Sequence, residues 1–383
     1  MSGELADPVV GPGTSGERTG ETTADLTPLV GPVPSDAMTS VGVIGAGAAA
    51  AAATYVIDET VPDAHVTILE KSGGVCGRAA TRRHGDLTYD YGANYVKSDD
   101  ERVVALLTET LSTDGLVDVS DPIYTFDAAG TVSEGRDADD HKWTYREGLT
   151  QVAKRLLART DATVHRETRV ERVVRDGDRW RLHDADGGAW GPFDRLLVNP
   201  PAPQTADLLA DADWEAQERA DLEAAARDVD YRSVWTGVLH YGFELDRPYY
   251  ALVNTDNEHD VGWLAREECK PGHVPDGESL LVVQAAPEWS DEHHDEDPAG
   301  NVAELADHAA DIVGDDRLCD PDWTDHQGWR YALPEDGARP GAVDAAAGHD
   351  LYAVGDWVAG EARLHAALRN GLDTGEDVAR SLA

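Results

Sequence analysis

Lysine is scarce in this chain of 383 residues, occurring only at Lys71, Lys97, Lys142, Lys154 and Lys270. Basic residues of both kinds number 32 against 74 acidic ones, a formal charge of -42. Nucleic-acid binding is therefore not expected, since a face that grips phosphates needs clustered Lys and Arg. Cysteine is rare as well: Cys76, Cys269 and Cys319 form no CxxC pair and no Cys/His ligand cluster. Neither a disulfide framework nor a metal site follows, and a reducing, cytoplasmic setting is expected. Long apolar runs are missing too. The longest, around Val41 to Ala53, is broken by glycines and falls short of a bilayer span. Residues 1–38 have neither a basic nor an apolar leader segment and are dense in Gly, Pro, Thr, Ser and acid, so a disordered acidic head is expected there. Met38 stands directly before the first apolar run.

What remains is the composition of a folded protein, with 41% hydrophobic residues, 37 Gly and 10 Trp, and length enough for two to three domains of about 150 residues. The acid is spread along the whole chain, with no acidic tail, which favours adaptation to a salt-loaded cytoplasm over a docking face for one basic partner. At molar salt the Debye length falls to about 3 Å and self-repulsion is screened.

The first ordered stretch, Val41-Gly42-Val43-Ile44, reads as a buried strand that breaks at glycine and passes into an Ala-rich helix ending near Tyr55 to Asp58. His65 to Glu70 reads as a second strand, closing in a carboxylate, and completes a βαβ unit. Strand-like pieces (Thr163 to Val174, Arg179 to Asp184, Leu196 to Asn199, Ser233 to Phe243, Ser279 to Ala285) then alternate with helix-like ones (Gly148 to Arg159, Ala206 to Ala226, Val302 to Val313). The chain closes on Leu351 to Asp356, a strand ending in Gly-Asp, and a helix from about Arg363 to Leu382. The predicted class is α/β, a Rossmann-type domain assembled from both ends of the chain beside a second, β-rich α+β domain.

Gly45-Ala46-Gly47-Ala48-Ala49-Ala50 matches the G-x-G-x-x-G/A turn that sets a pyrophosphate on a helix N-terminus. Gly45 makes the tight turn, Gly47 lets backbone amides approach the phosphates, and Ala50 keeps the helix close to the sheet. Glu70, 25 residues after Gly45, ends the next strand, where a carboxylate accepts from a ribose. Two further strings, Gly73-Gly74-Val75-Cys76-Gly77-Arg78-Ala79-Ala80-Thr81 and Asp90-Tyr91-Gly92-Ala93-Asn94-Tyr95, resemble the GG…GR-x-x-T and D-x-G-A-x-Y segments of FAD-dependent amine-oxidase-type flavoproteins. Among these, the chain resembles the renalases. Pro200 to Gln204, Trp263 to Arg266, Lys270-Pro271-Gly272, Pro287 to Ser290, Trp329 to Ala332 and Leu351 to Leu372 follow the order of that family, and the likeness runs from about Thr39 to Ala383.

The resemblance implies FAD, held without a covalent link since no cysteine lies in the C-terminal flavin segment. It carries over Gly77 and Arg78 to the pyrophosphate and flavin, and Gly355 and Asp356 to the ribityl chain. The helix start at Leu364 and Ala366 goes to the flavin O2 and N1 edge, and Lys71, Asn94, Tyr95 and Val170 are further cofactor contacts. Tyr95, Trp329, Tyr331 and Trp357 are candidates for the substrate chamber. It also divides the chain into a FAD-binding part (39–98, 145–205 and 318–383) and a substrate part (99–144 and 206–317). Two departures stand out. Val75-Cys76 sits inside the glycine loop, and Ala362-Arg363-Leu364-His365-Ala366 replaces the usual Gly-Arg-Val-Glu-Gly-Ala. Cys76 is expected as a small apolar filler rather than a redox thiol, and His240 as a hydrogen-bonded sheet histidine.

The activity implied is oxidation of 2- or 6-dihydro isomers of NAD(P) to NAD(P)+, by hydride transfer to flavin N5 with oxygen reduced to hydrogen peroxide. The rival readings are a flavin amine oxidase, or a related desaturase or porphyrinogen oxidase, and, from another class, a non-catalytic flavin-binding redox sensor. Amine oxidases of this superfamily commonly place a lysine near N5 from the second half of the chain, and Lys270 is the only lysine after Lys154. One expectation follows from charge alone. Raising KCl from about 0.1 M to molar shortens the Debye length from about 10 to 3 Å, so the melting temperature rises over that range; a salt-independent Tm contradicts halophilic adaptation.

Overall fold

The computed structural model describes residues 39–135 and 140–383. The acidic head expected over residues 1–38 lies outside them. Five parallel strands form the first sheet, in the order Thr163–His165, His65–Leu69, Ser40–Ile44, Arg195–Val198, Leu351–Ala353. Ser40–Ile44 is buried throughout, as suits the centre of a parallel sheet covered on both faces. Both ends of the chain therefore meet in one sheet, as the sequence predicts. All five strands run the same way, so the turns after Ile44, Leu69, Val198 and Ala353 lie along one edge, where open α/β sheets take their ligands.

Two helices cross this sheet side by side. In the first, Ala48–Thr60, Ala48 to Ala53 are all buried. The second is Leu364–Leu382. A Cβ on Gly371 would lie 2.2 Å from the Ala49 carbonyl oxygen, and one on Gly375 2.7 Å from that of Ala53. Small residues on both faces thus let the backbones touch. Because 371 meets 49 and 375 meets 53, the helices run parallel and their N-termini share one end of the molecule, with the second starting about 9 Å further out.

A seven-stranded sheet forms the other layer, in the order Trp323–Pro334, Tyr231–Tyr241, Ser279–Ala285, Val261–Arg266, Ala251–Asn254, Ile123–Phe126, Val132–Ser133. It is antiparallel apart from the pairing of Ala251–Asn254 with Ile123–Phe126. Trp323–Pro334 falls within 318–383, which the sequence division gives to the nucleotide part, yet it pairs along Tyr231–Tyr241. Two elements also depart from expectation. Thr163 to Val174 splits into Thr163–His165 and Val170–Asp176, turned by Glu167 at φ 57. Ala206 to Ala226 splits into Ala202–Ala210 and Gln217–Arg227. Between those helices Asp213 exchanges backbone hydrogen bonds with Val173 and Arg175, and Trp214 is buried edge-on against Trp180. Sheet pairing and aromatic burial outweigh local helix propensity there.

A buried ionic knot ties the strand Leu87–Asp90 to the seven-stranded sheet. Asp90 ends the strand Leu87–Asp90, while Glu267, Lys270 and His273 follow Val261–Arg266; all four side chains are fully buried. Lys270 Nζ lies 3.1 Å from Asp90 Oδ2 and 2.7 Å from Glu267 Oε1. The two His273 ring nitrogens sit 2.8 Å from Glu267 Oε2 and 2.9 Å from the Tyr145 carbonyl oxygen, acceptors on both sides. Asp90 also accepts from Thr81 Oγ1 at 2.6 Å and Leu149 N–H at 2.9 Å. Asp90, Glu267 and His273 stand close enough to hold a metal ion, but the Lys270 ammonium already takes the place of the cation between the two carboxylates. Burial pushes the Asp90 carboxyl up, and the charges of Lys270 and His273 with these hydrogen bonds outweigh it, holding Asp90 below the usual carboxylate range.

The depression of Asp90 stabilises the fold fully above its ordinary value of 3.8, and that contribution is lost as pH falls through the lower folded value. Lys270→Met strands two buried carboxylates and should cost about 3–5 kcal/mol. A clear fall in Tm, with an acid-unfolding midpoint moved to higher pH, is expected in thermal and acid melts; an unchanged Tm contradicts the structural role of Lys270.

Candidate functional site

The turns at the carboxyl edge of the parallel sheet carry most of the sequence-predicted cofactor residues. Gly45 has φ 90, which its tight turn requires. Neither long helix has a side-chain N-cap: Gly47 and Arg363 stand in that position. The amides opening Ala48–Thr60 and Leu364–Leu382 thus remain open to an acceptor, each with the positive end of a helix dipole behind it. Leu364 is half-buried and Ala366 fully buried at the second of these starts.

Glu70 is buried, and its carboxylate braces the turn: Oε2 accepts from Ala46 N–H and Oε1 from Ser72 N–H, each at 2.7 Å. Each oxygen keeps a second lone pair, so a ribose hydroxyl still fits. Lys71 is exposed and donates to Gln204 Oε1 at 3.2 Å. Val170 packs beneath with Ile44 and Leu69, and Ala50 is sealed in the helix–sheet contact.

The glycine loop returns against the first turn, with Cys76 N–H donating to the Ala46 carbonyl at 2.8 Å. Cys76 has φ 82 and Gly77 φ 58. Burial pushes the Cys76 thiol up to about 12, so it is protonated at neutral pH and packs as an apolar group. Arg78 Nη2 meets Asp356 Oδ1 at 2.8 Å and Nη1 donates to the Ala332 carbonyl at 2.8 Å. Two residues placed separately at the cofactor by sequence are therefore bonded to each other across 278 positions. Gly355, at φ 147, precedes Asp356, and its N–H donates to Asn370 Oδ1 at 2.8 Å.

The seven-stranded sheet turns one face to the Tyr91–Tyr95 segment. Gln284 Nε2 donates to the Gly92 carbonyl at 2.8 Å, and Trp329 Nε1 to that of Tyr91 at 3.2 Å, with the Trp329 and Tyr91 rings stacked. A Cβ at Gly92 would strike the Arg78 carbonyl oxygen at 2.0 Å, so only glycine allows the two cofactor segments to touch. Tyr331 meets Tyr231 edge-on, Arg78 reaches toward that same Tyr231 ring, and Tyr95 leans on Tyr250 and Trp263. Asn94 Oδ1 is buried without a partner. Tyr95, Trp329 and Tyr331 are all half-buried around this face. Trp357 is not among them. It is 0% exposed, its N–H donates to the Pro200 carbonyl at 3.1 Å, and it packs with Ala202 and Ala206, so the sequence-predicted chamber role is corrected to a core one. His240 lies 2.8 Å from Glu278 at the sheet margin, as a sheet histidine should. Sequence reasoning missed Asn199, Asn370, Tyr231 and Gln284. Only Asn199 had a signal, its place directly after a parallel strand ending at the ligand edge.

The residues present fit a flavin dinucleotide. Two uncapped helix N-termini share one end of the molecule about 9 Å apart along their axes, one at the glycine turn and one beside Gly355-Asp356, as a ligand with a charged diphosphate and a distant polar ring edge demands. Among the described residues no helix is long and apolar enough to cross a membrane.

Comparison with known proteins agrees. Residues 43–110 match the NAD(P)-binding Rossmann-like domain, and residues 128–379 match flavin containing amine oxidoreductase. Similar solved structures include a protein provisionally described as a protoporphyrinogen oxidase, from Exiguobacterium sp. 255-15 (13% identity, TM-score 0.73, 90% of this chain and 99% of that one). Cyclohexylamine oxidase from Brevibacterium oxydans IH-35A (14%, 0.68, 90% and 99%) and a putrescine oxidase bound to putrescine (12%, 0.66, 89% and 99%) are similar as well. At such identities the likeness speaks for the fold alone. The match over 128–379 decides the family: the chain belongs to the flavin-containing amine oxidoreductases, and is an oxidoreductase that works with a flavin.

Proposed function

We propose that this flavoenzyme is a renalase-like oxidase that holds FAD non-covalently and converts 2- or 6-dihydro isomers of NAD(P) to NAD(P)+, acting in a salt-loaded cytoplasm. FAD, when bound, supplies the hydride acceptor at N5, so that the dihydro isomer, a proton and oxygen give NAD(P)+ and hydrogen peroxide. The chain's own task is to place and to shield. Glu70 would take the ribose, the amides opening Ala48–Thr60 the diphosphate, Asp356 the ribityl chain, and the start of Leu364–Leu382 the pyrimidine edge, where its dipole would favour negative charge. The substrate part, 99–144 and 206–317 with the strand Trp323–Pro334, would cover the flavin, with Tyr95, Trp329 and Tyr331 lining the substrate chamber. Selection among positional isomers then rests on bringing one donor carbon within about 3–3.5 Å of the acceptor.

The observation that carries this reading over an amine oxidase is the burial of Lys270. It is the only lysine after Lys154, it is fully buried, and two carboxylates hold its ammonium. No lysine of the chain's second half is therefore left to work beside the flavin.

Glu70→Ala removes a ribose acceptor and frees two turn amides. With about 1.5–3 kcal/mol for a hydrogen bond to a charged group, FAD release on dialysis should rise at least about tenfold, and unchanged occupancy contradicts the ribose assignment. The substrate assignment is tested by anaerobic stopped-flow mixing in molar KCl. The 2- or 6-dihydro isomers should bleach the flavin quickly, whereas 4-dihydro NADH, monoamines and polyamines should act slowly or not at all. Fast bleaching by an amine alone moves the protein to the amine-oxidase reading, and bleaching by none of them to the redox-sensor reading.

A further inference from the structure

Asn199 follows the fourth parallel strand, and three segments of the nucleotide crevice converge on it. Its N–H donates to the Ile44 carbonyl at 3.0 Å. Its side-chain Oδ1 accepts from Gly47 N–H at 3.1 Å, while Nδ2 donates to the Val354 carbonyl at 2.8 Å. A Cβ on Gly47 would lie 2.3 Å from Asn199 Oδ1, and one on Gly355 3.5 Å from Nδ2. The second glycine of the turn is thus required by this side chain, whatever the ligand demands. One consequence is chemical. The Gly47 amide is already engaged, so a diphosphate is left with the amides of Ala48, Ala49 and Ala50 in the first helical turn. The other is mechanical: the amide group spans the gap between the Gly45–Gly47 turn and the Val354–Asp356 turn, to which the proposed function assigns the diphosphate and the ribityl chain.

We propose that Asn199 is a positioning residue for the cofactor: it clamps these two turns together, fixing the first helix start against Asp356 before FAD arrives. The inference rests on the FAD reading and is independent of the substrate. Without the clamp the turns must be ordered as FAD binds, and that cost appears as lost affinity. The neutral amide matters as well as its shape. An aspartate of the same size keeps the acceptor toward Gly47, but turns the donor into a charged oxygen facing the Val354 carbonyl and repels the incoming diphosphate.

The test uses holoprotein with Asn199→Ala and Asn199→Asp, and Asn199→Ser should either fail to fold. Released FAD is followed on dilution in molar KCl by its regained fluorescence, and Tm is measured with and without excess FAD. A rise in Kd of about 10-fold for the alanine variant and more for the aspartate one, with a smaller Tm gain from added FAD, is expected from the two side-chain hydrogen bonds that alanine loses and the misplaced charge that aspartate adds. An equal drop in Tm with and without FAD at unchanged Kd makes Asn199 a merely structural residue and overturns the proposal. Aspartate binding FAD better than alanine overturns the charge argument and the proposal with it. Wild-type protein that holds no FAD overturns the FAD reading itself, an outcome distinct from wild type and variants binding FAD alike.

Discussion

Four polar side chains with no access to water, three of them ionic, hold the Leu87–Asp90 strand to the segment that follows Val261–Arg266. Lys270, Asp90, Glu267 and His273 are each removed from solvent, at a desolvation cost of several kcal/mol per ion that only close pairing offsets. A pairing of that kind tolerates little displacement. Asp90 immediately precedes the Tyr91–Tyr95 segment, and Lys270 follows the strand Val261–Arg266, so the knot holds that segment against the face of the seven-stranded sheet. The contacts of Gln284 with Gly92 and of Trp329 with Tyr91 are secondary to this alignment. Lys270 serves here as an internal counter-ion to two carboxylates.

The same economy governs charge across the molecule. The surface is strongly acidic, yet many arginines are drawn into pairs, such as Arg102 with Asp373 and Glu376, or Arg159 with Glu59. Exposed pairs of this kind contribute little each, about 0–1 kcal/mol, and molar salt weakens them further. Stability therefore rests on the buried layer contacts, while the acidic surface serves solvation. Under the proposed function the diphosphate would be met instead by backbone amides at a helix start, with no side-chain cation required.

How much of this was legible beforehand follows from the range of each interaction. Gly45-Ala46-Gly47 and Glu70 could be read because a tight turn and a strand-end carboxylate are local demands written in adjacent residues. The joining of the two chain ends was legible from apolar strands flanking glycine turns. Trp357 was misread because proximity to Gly355-Asp356 in sequence does not say which way an indole points, and its N–H turns to the Pro200 carbonyl. The break at Asp211 to Ala216 was hidden because its cause, pairing with Val173 and Arg175, lies some 40 positions away. The bond between Arg78 and Asp356 was invisible for the same reason, although both residues were placed at the cofactor.

Cys76 shows how a departure from a glycine pattern can be accommodated. Its φ of 82 costs an L residue roughly 1–2 kcal/mol relative to glycine. The side chain offsets this by burial with Leu149 and Val152, with Sγ 3.7 Å from the Leu149 carbonyl oxygen. A thiol suits the place because it is small enough for a left-handed turn and apolar enough for the cluster. The left-handed pair Cys76 and Gly77 turns the chain back so that Cys76 bonds to Ala46 and Gly77 lies against Gly47. A residue outside the glycine pattern therefore preserves the close approach of the two loops that the glycines exist to permit.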